Sequence, residues 1–151
     1  MSAVPPPIDD GRCIGCGKLS TIGLKMEFAI EPDLSVESRI RVGPDFAGWQ
    51  GVVHGGVVAL LLDEAMAYAA AAHGVLGMTG DLKMRFRRSV PVDAALVVRA
   101  RVAWRRRDVL GITARVEAED GTLLASGDGS FVKRGEVEPG AFGESRFRAR
   151  A

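Results

Sequence analysis

Two adjacent carboxylates, Asp63 and Glu64, interrupt a stretch that otherwise has no place for charge. The segment "GVVHGGVVALLLDEAMAYAAAAHG" (51–74) opens on a histidine and two glycines and continues in alanine, leucine, valine and methionine; between Gly51 and Gly80 the two acids are its only formally charged residues. Burying a carboxylate without a partner costs several kcal/mol or raises its pKa. A carboxylate held in a mostly apolar pocket is suited to work as a general base or a nucleophile. A purely structural reading stands beside this one. Adjacent helical residues point about 100° apart, so one acid can project from a solvent-facing edge, and both can if the helix is less covered than its composition suggests.

The opening of the same segment offers a second kind of chemistry. His54, Gly55 and Gly56 stand where a helix leaves free backbone N–H groups at the positive end of its dipole. Glycine lets a ligand oxygen approach closely, and such a place can hold a developing oxyanion. Asp63 lies about eight residues, or roughly 12 Å, further along, so one helix cannot aim both groups at one carbonyl. If they act together, the carboxylate comes from a second copy of the helix lying antiparallel alongside, at a two-fold interface that holds two such sites.

Two further patterns carry chemistry. Cys13 and Cys16 form a CxxC in "RCIGCGKLS". A tetrahedral zinc site needs about four ligands, and no second CxxC follows. Two small buried side chains in a glycine-rich turn, metal shared between subunits, and redox chemistry all remain open, and no metal ligand is assigned. In "DLKMRFRR", Lys83, Arg85 and Arg87 alternate with Leu82, Met84 and Phe86, giving one basic and one apolar face. That is either a charged outer sheet face or a set of phosphate ligands.

The elements that position these residues can be read from periodicity. Residues 1–12 are proline-rich and polar, expected as a loose arm. "GLKMEFAI" (23–30) alternates as a half-buried strand, "EPDLS" is a turn, and "VESRIRV" (36–42) completes a hairpin. Gly55–His73 is rich in strong helix formers, with Gly74 placed to end the helix. It is apolar nearly all round, which marks a helix wrapped by other structure. Strand-like runs follow at 78–90, 95–107, 109–119 and 123–134, the last three a meander, and 135–151 is expected as a polar tail. One helix among antiparallel strands is an α+β arrangement.

Composition excludes several classes. The chain has 151 residues, 47% hydrophobic and 26% charged, with a net charge of +1. That fits one globular domain and supplies no overall field for nucleic acid or an anionic membrane. The basic run carries the single aromatic Phe86 and no series of rings for stacking single-stranded bases. No apolar run reaches the roughly 18–20 residues of a bilayer span, and the first residues lack a secretory pattern. A cytoplasmic location is expected.

"GWQGVVHGGVVALLLDEAMAYAA" resembles the signature of hotdog-fold acyl-CoA thioesterases, in particular the PaaI-like group: a histidine, two glycines, and an aspartate nine residues after the histidine. With the lead-in "CIGCG…GLKMEF" the resemblance covers residues 13–134. It implies a hotdog fold, a curved antiparallel sheet wrapped around one long central helix. It also implies a homodimer or homotetramer with active sites at the subunit interface, acting on acyl-CoA with no cofactor beyond the coenzyme A of the substrate. By position, Asp63 would be the general base or nucleophile, with Glu64 as its substitute. The Gly55 N–H, with Gly56 close by, would polarise the thioester carbonyl, and His54 would steady the loop. Thr79 would orient water. Lys83, Arg85 and Arg87 would meet the coenzyme A phosphates. Several relatives carry an asparagine or glutamine before the glycines to help bind the carbonyl; here Gln50 stands at a different offset, which leaves the donors beyond the glycine amides open. A non-catalytic acyl-CoA or lipid-binding protein and a purely structural oligomer are the alternatives. A hydratase of the same fold is disfavoured by the lack of a His-Phe-Pro-Gly type loop.

Overall fold

The computed structural model describes residues 8–138 and strand 147–149. The alanine-rich segment forms helix α1 (Gly55–Ala72), 18 residues or about 27 Å long. Gly74 follows with φ +75°, the left-handed conformation that ends a helix and turns the chain back. By length and apolar content α1 resembles a membrane span. Its environment explains that composition, because Val58, Leu61, Leu62, Ala65, Met66 and Tyr68–Ala72 are buried under a sheet that curls around it.

The sheet comprises β1 (Phe28–Ile30), β2 (Val36–Ile40), β3 (Val75–Phe86), β4 (Leu96–Arg106), β5 (Val109–Ala118), β6 (Leu123–Glu136) and β7 (Phe147–Ala149), in the order β3-β6-β5-β4-β2-β1-β7. All neighbours are antiparallel except β1 and β7. The period-two pattern of each strand turns one row inward. Leu96, Val98 and Ala100 of β4, Leu110, Ile112, Ala114 and Val116 of β5, and Ala125 and Phe131 of β6 are buried. Phe28 stacks on Tyr68 of α1 with ring centroids 4.1 Å apart, tying β1 to the helix. This is the α+β architecture that the element order predicts.

Three details depart from the sequence reading. The run expected as a strand from Gly23 pairs in the sheet only from Phe28. Its first half is held instead by the CxxC loop, with Leu24 N donating to Ile14 O and Met26 N to Gly15 O, both at 2.9 Å, and Lys25 adopts φ +51°. The expected loose arm is anchored at its end, where Gly11 O accepts from Leu19 N at 2.8 Å; residues 1–7 lie outside the described part. The stretch expected as a tail supplies the end of β6 and strand β7, and residues 139–146 and 150–151 lie outside the described part.

Met66 of α1 approaches β6 where Gly127 and Gly129 leave a trough. A Cβ on Gly129 would stand 2.8 Å from Leu82 Cδ2, 2.9 Å from the Asp81 carbonyl oxygen and 3.0 Å from Met66 Sδ. The carbonyl belongs to the paired strand and cannot step aside without breaking register. Gly129→Val is therefore expected to lower stability by about 1–3 kcal/mol, the usual cost of overpacking. Thermal unfolding followed by circular dichroism checks this, with Gly43→Ala, whose Cβ enters open space, melting like the parent.

Candidate active site

Asp63 sits on the one stripe of α1 that the sheet leaves half-exposed, with Ala59, Leu60 and Ala67. Its Oδ1 accepts a hydrogen bond of 2.8 Å from Thr79 Oγ1 on β3. Simple alternation along β3 would put Thr79 on the same face as Asp81 and Lys83. A register shift between Thr79 and Asp81 reverses it: Thr79 pairs with Phe131, Asp81 with Ser130 and Leu82 with Gly129. Phe131 and Gly129 face the helix, so Thr79 and Leu82 both do, with Gly80 as the extra residue between them. Thr79 and its neighbours Met78 and Gly80 are exposed, because β3 is a sheet edge with no further strand beyond it among the described residues.

The helix N-terminus lies at the other end of the stripe. His54 is the N-cap and its Nδ1 accepts from Gly56 N at 2.8 Å. In a neutral imidazole this places the ring proton on Nε2. The N–H groups of Val57 and Val58 both donate to His54 O, at 2.9 and 3.0 Å. The Gly56 amide, which the resemblance sets close by the polarising donor, is thus already engaged. Gly55 N makes no hydrogen bond among the described residues, and a Cβ at Gly55 would meet only Phe86 Cε1, at 3.9 Å. Gly55 offers the open donor at this dipole end.

An open cleft of about 450 Å³ adjoins that donor, lined in part by Trp49, His54, Gly55, Phe86, Arg87 and Arg88. Arg87 is where the sequence placed a phosphate ligand. Arg88, Trp49 and Phe86 were not foreseen. Both arginine backbone N–H groups donate to Leu124 O, at 2.8 and 3.0 Å, as the strand ends, so strict alternation stops there and two consecutive arginines line one cleft. Lys83 and Arg85 stand elsewhere, exposed on the outer sheet face opposite Asp128 and Ser126. Gln50 is exposed in the tight turn closed by Val52 N donating to Trp49 O, with Gly51 at φ +76°, and does not line the cleft.

Glu64 diverges from Asp63. It reaches back to the CxxC loop, where Cys13 Sγ and Glu64 Oε1 share a hydrogen bond of 3.4 Å. A Cβ on Gly15 would stand 2.6 Å from the Glu64 carboxyl carbon, so the glycine in "CIGC" makes room for this side chain. Burial pushes the Glu64 carboxyl up to about 8. A hydrogen bond from Cys16 holds the Cys13 thiol down to about 5, with the backbone N–H groups of Cys16 and Gly15 adding to it against burial. The Cys16 thiol is pushed up, by the same bond to Cys13 and by burial. Sequence separation hides this grouping. Glu64 therefore lies apart from the Asp63–Thr79 pair.

Residues 50–125 match the family model of the thioesterase superfamily. A curated relative, MIOREX complex component 3 of Saccharomyces cerevisiae, is 30% identical over 97 residues, 63% of this chain but only 35% of the yeast protein. Among solved structures, a thioesterase superfamily protein is 29% identical at a TM-score of 0.71, the match covering 74% of this chain and 57% of that one. The Escherichia coli PaaI protein from the phenylacetic acid degradation operon gives 18% and 0.70, over 76% and 83% of the two chains. A hypothetical thioesterase of Streptococcus pneumoniae, solved with coenzyme A, gives 16% and 0.69, over 74% and 87%. That protein was also solved with alanine replacing an aspartate and, separately, a threonine sixteen residues further along. With the fold and the extent of the family match agreeing, this chain belongs to the thioesterase superfamily and has its hotdog fold.

Proposed function

We propose that this protein hydrolyses acyl-CoA thioesters in a site shared by two copies of the chain. The observation that carries the reading is the Asp63–Thr79 pair, a carboxylate steered by a hydroxyl on the only uncovered stripe of an otherwise buried helix. Asp63 and Thr79 are sixteen residues apart, the spacing of the two positions altered in the Streptococcus pneumoniae protein. The Thr79 bond occupies Oδ1 and leaves Oδ2 to take a proton from water. The resulting hydroxide attacks the thioester carbonyl carbon, and the oxyanion is received by a Gly55 N–H. Collapse expels the coenzyme A thiolate, which regains the proton, giving a carboxylic acid and free coenzyme A.

Gly55 and Asp63 of one helix are too far apart to serve one carbonyl, roughly 12 Å along the axis. The exposed edge of β3 and the half-covered stripe of α1 together form a face suited to a second copy, since a long unpaired edge invites strand pairing. Antiparallel packing of two helices across a two-fold axis brings Gly55 of one to Asp63 of the other. Arg87 and Arg88 suit coenzyme A phosphates, and Trp49 and Phe86 offer ring faces for its adenine.

Asp63→Asn is expected to lower kcat for a panel of acyl-CoAs by about 10²–10⁴-fold, the worth of a general base, with thermal stability retained. Thr79→Ala should lower kcat by roughly ten- to a hundredfold, as for a lost hydrogen bond to a charged group. Release of free coenzyme A, followed by chromatography, measures both. An Asp63→Asn enzyme as fast as wild type overturns the mechanism, and binding of acyl-CoA with no turnover by the wild type makes the protein a carrier instead.

Gly55→Pro tests the amide donor. Position N1 accepts proline readily, and His54 already has the extended backbone, φ −57° and ψ 137°, that a following proline requires. The variant should fold normally and lose about 10²–10³ in kcat. Co-expressed with Asp63→Asn, it should recover about a quarter of wild-type activity, since half the dimers are mixed and each regains one of two sites. No recovery in mixed dimers would place the site within one chain.

A further inference from the structure

We infer that Cys13, Cys16 and Glu64 form a binding site for one zinc-class divalent ion, which fastens the N-terminal lead-in to helix α1. The two thiol sulfurs and a Glu64 carboxylate oxygen lie within 4.8 Å of one another. The edge of a tetrahedron around zinc, with Zn–S near 2.3 Å and Zn–O near 2.0–2.2 Å, is roughly 3.5–3.8 Å, so small side-chain rotations close the site. The loop is already shaped for it. Gly15 N donates to Cys13 Sγ at 3.3 Å and Gly17 N to Cys13 O at 2.8 Å, a turn that presents both sulfurs on one side and points backbone N–H groups at a thiolate.

The glycines belong to this arrangement. A Cβ on Gly15 would strike the Glu64 carboxyl group, and one on Gly17 would stand 2.4 Å from Gly11 O and 2.5 Å from Cys13 N. The lead-in is thereby folded tightly over the one helix residue that can complete the ligand set. No ion pair among the described residues reaches Glu64, so a bound dication would supply the charge that three acidic groups in a half-buried cluster lack. Two soft thiolates favour zinc over magnesium or calcium. Cys16 is buried and Cys13 half-exposed, which leaves the fourth position to water entering past Cys13. Binding changes no oxidation state: the ion displaces whatever protons the three groups hold, and these pass to solvent.

The experiment uses the full chain, kept reduced and stripped of metal with a chelator, then titrated with cobalt(II). The expected result is a sulfur-to-cobalt charge-transfer band with visible bands of tetrahedral intensity, saturating at one cobalt per chain and bleached by zinc. Cys16→Ser should lose at least half of the charge-transfer intensity. Glu64→Gln should keep both thiolate bonds but bind zinc at least tenfold more weakly. The Glu64 variant leaves the lead-in loop unaltered and so keeps the test open if the cysteine variant does not fold. Absence of a charge-transfer band in reduced wild-type protein overturns the proposal, as does unchanged zinc affinity in Glu64→Gln. A protein that forms a Cys13–Cys16 disulfide in air and binds no cobalt when reduced would identify a redox pair instead. Acyl-CoA turnover enters none of these readouts, so the site stands or falls apart from the proposed hydrolysis.

Discussion

A helix with almost no polar side must be covered, and the rest of the molecule follows from that constraint. Burial of α1 recovers about 25 cal/mol per Å² of apolar surface, but only if strands can surround it closely. The small inward residues of β4 to β6, Ala100, Ala114, Ala125, Gly127 and Gly129, let the sheet approach and curl. Larger side chains, Leu96, Leu110, Ile112 and Phe131, are buried beside them. Among the described residues the sheet stops at β3, so cover is incomplete along one stripe. Along that stripe Asp63 meets Thr79.

The same constraint separates the two carboxylates. Asp63 occupies the uncovered stripe and finds a hydroxyl partner at its edge. Glu64, turned about 100° away, points under the lead-in loop and meets two thiols. One helix thus offers two acidic sites of different character. The first is open on the side where the proposed second chain would lie. The second is enclosed by the chain's own N-terminal segment, where burial holds the Glu64 carboxyl up and a hydrogen bond from Cys16 holds the Cys13 thiol down.

Much of this was legible in the sequence. The helix, its glycine stop, the β1–β2 hairpin and the meander of β4, β5 and β6 were all visible in hydrophobic period and turn residues, because each depends on local spacing. The half-strand before Phe28 was misread, since alternation in "GLKMEFAI" reports burial of alternate side chains and not which backbone answers the hydrogen bonds. The CxxC loop answers them. Arg88 was overlooked because the strand ends at Phe86 and two consecutive residues then face one cleft. The Gly56 N–H is taken by the histidine two residues before it, a bond that spacing alone does not reveal.

By itself the sequence determined that a charged pair would stand in a covered helix behind a glycine-rich start, since composition and spacing are local properties that folding does not alter. Tertiary structure decided what each group meets. The extra residue at Gly80 turns Thr79 from the outer face to Asp63, although alternation alone assigns it outward. A contact across 51 residues brings Glu64 to Cys13. Neither event leaves a periodic trace, because a bulge and a long-range contact are settled by how one strand registers against its neighbour and how one loop closes over a helix.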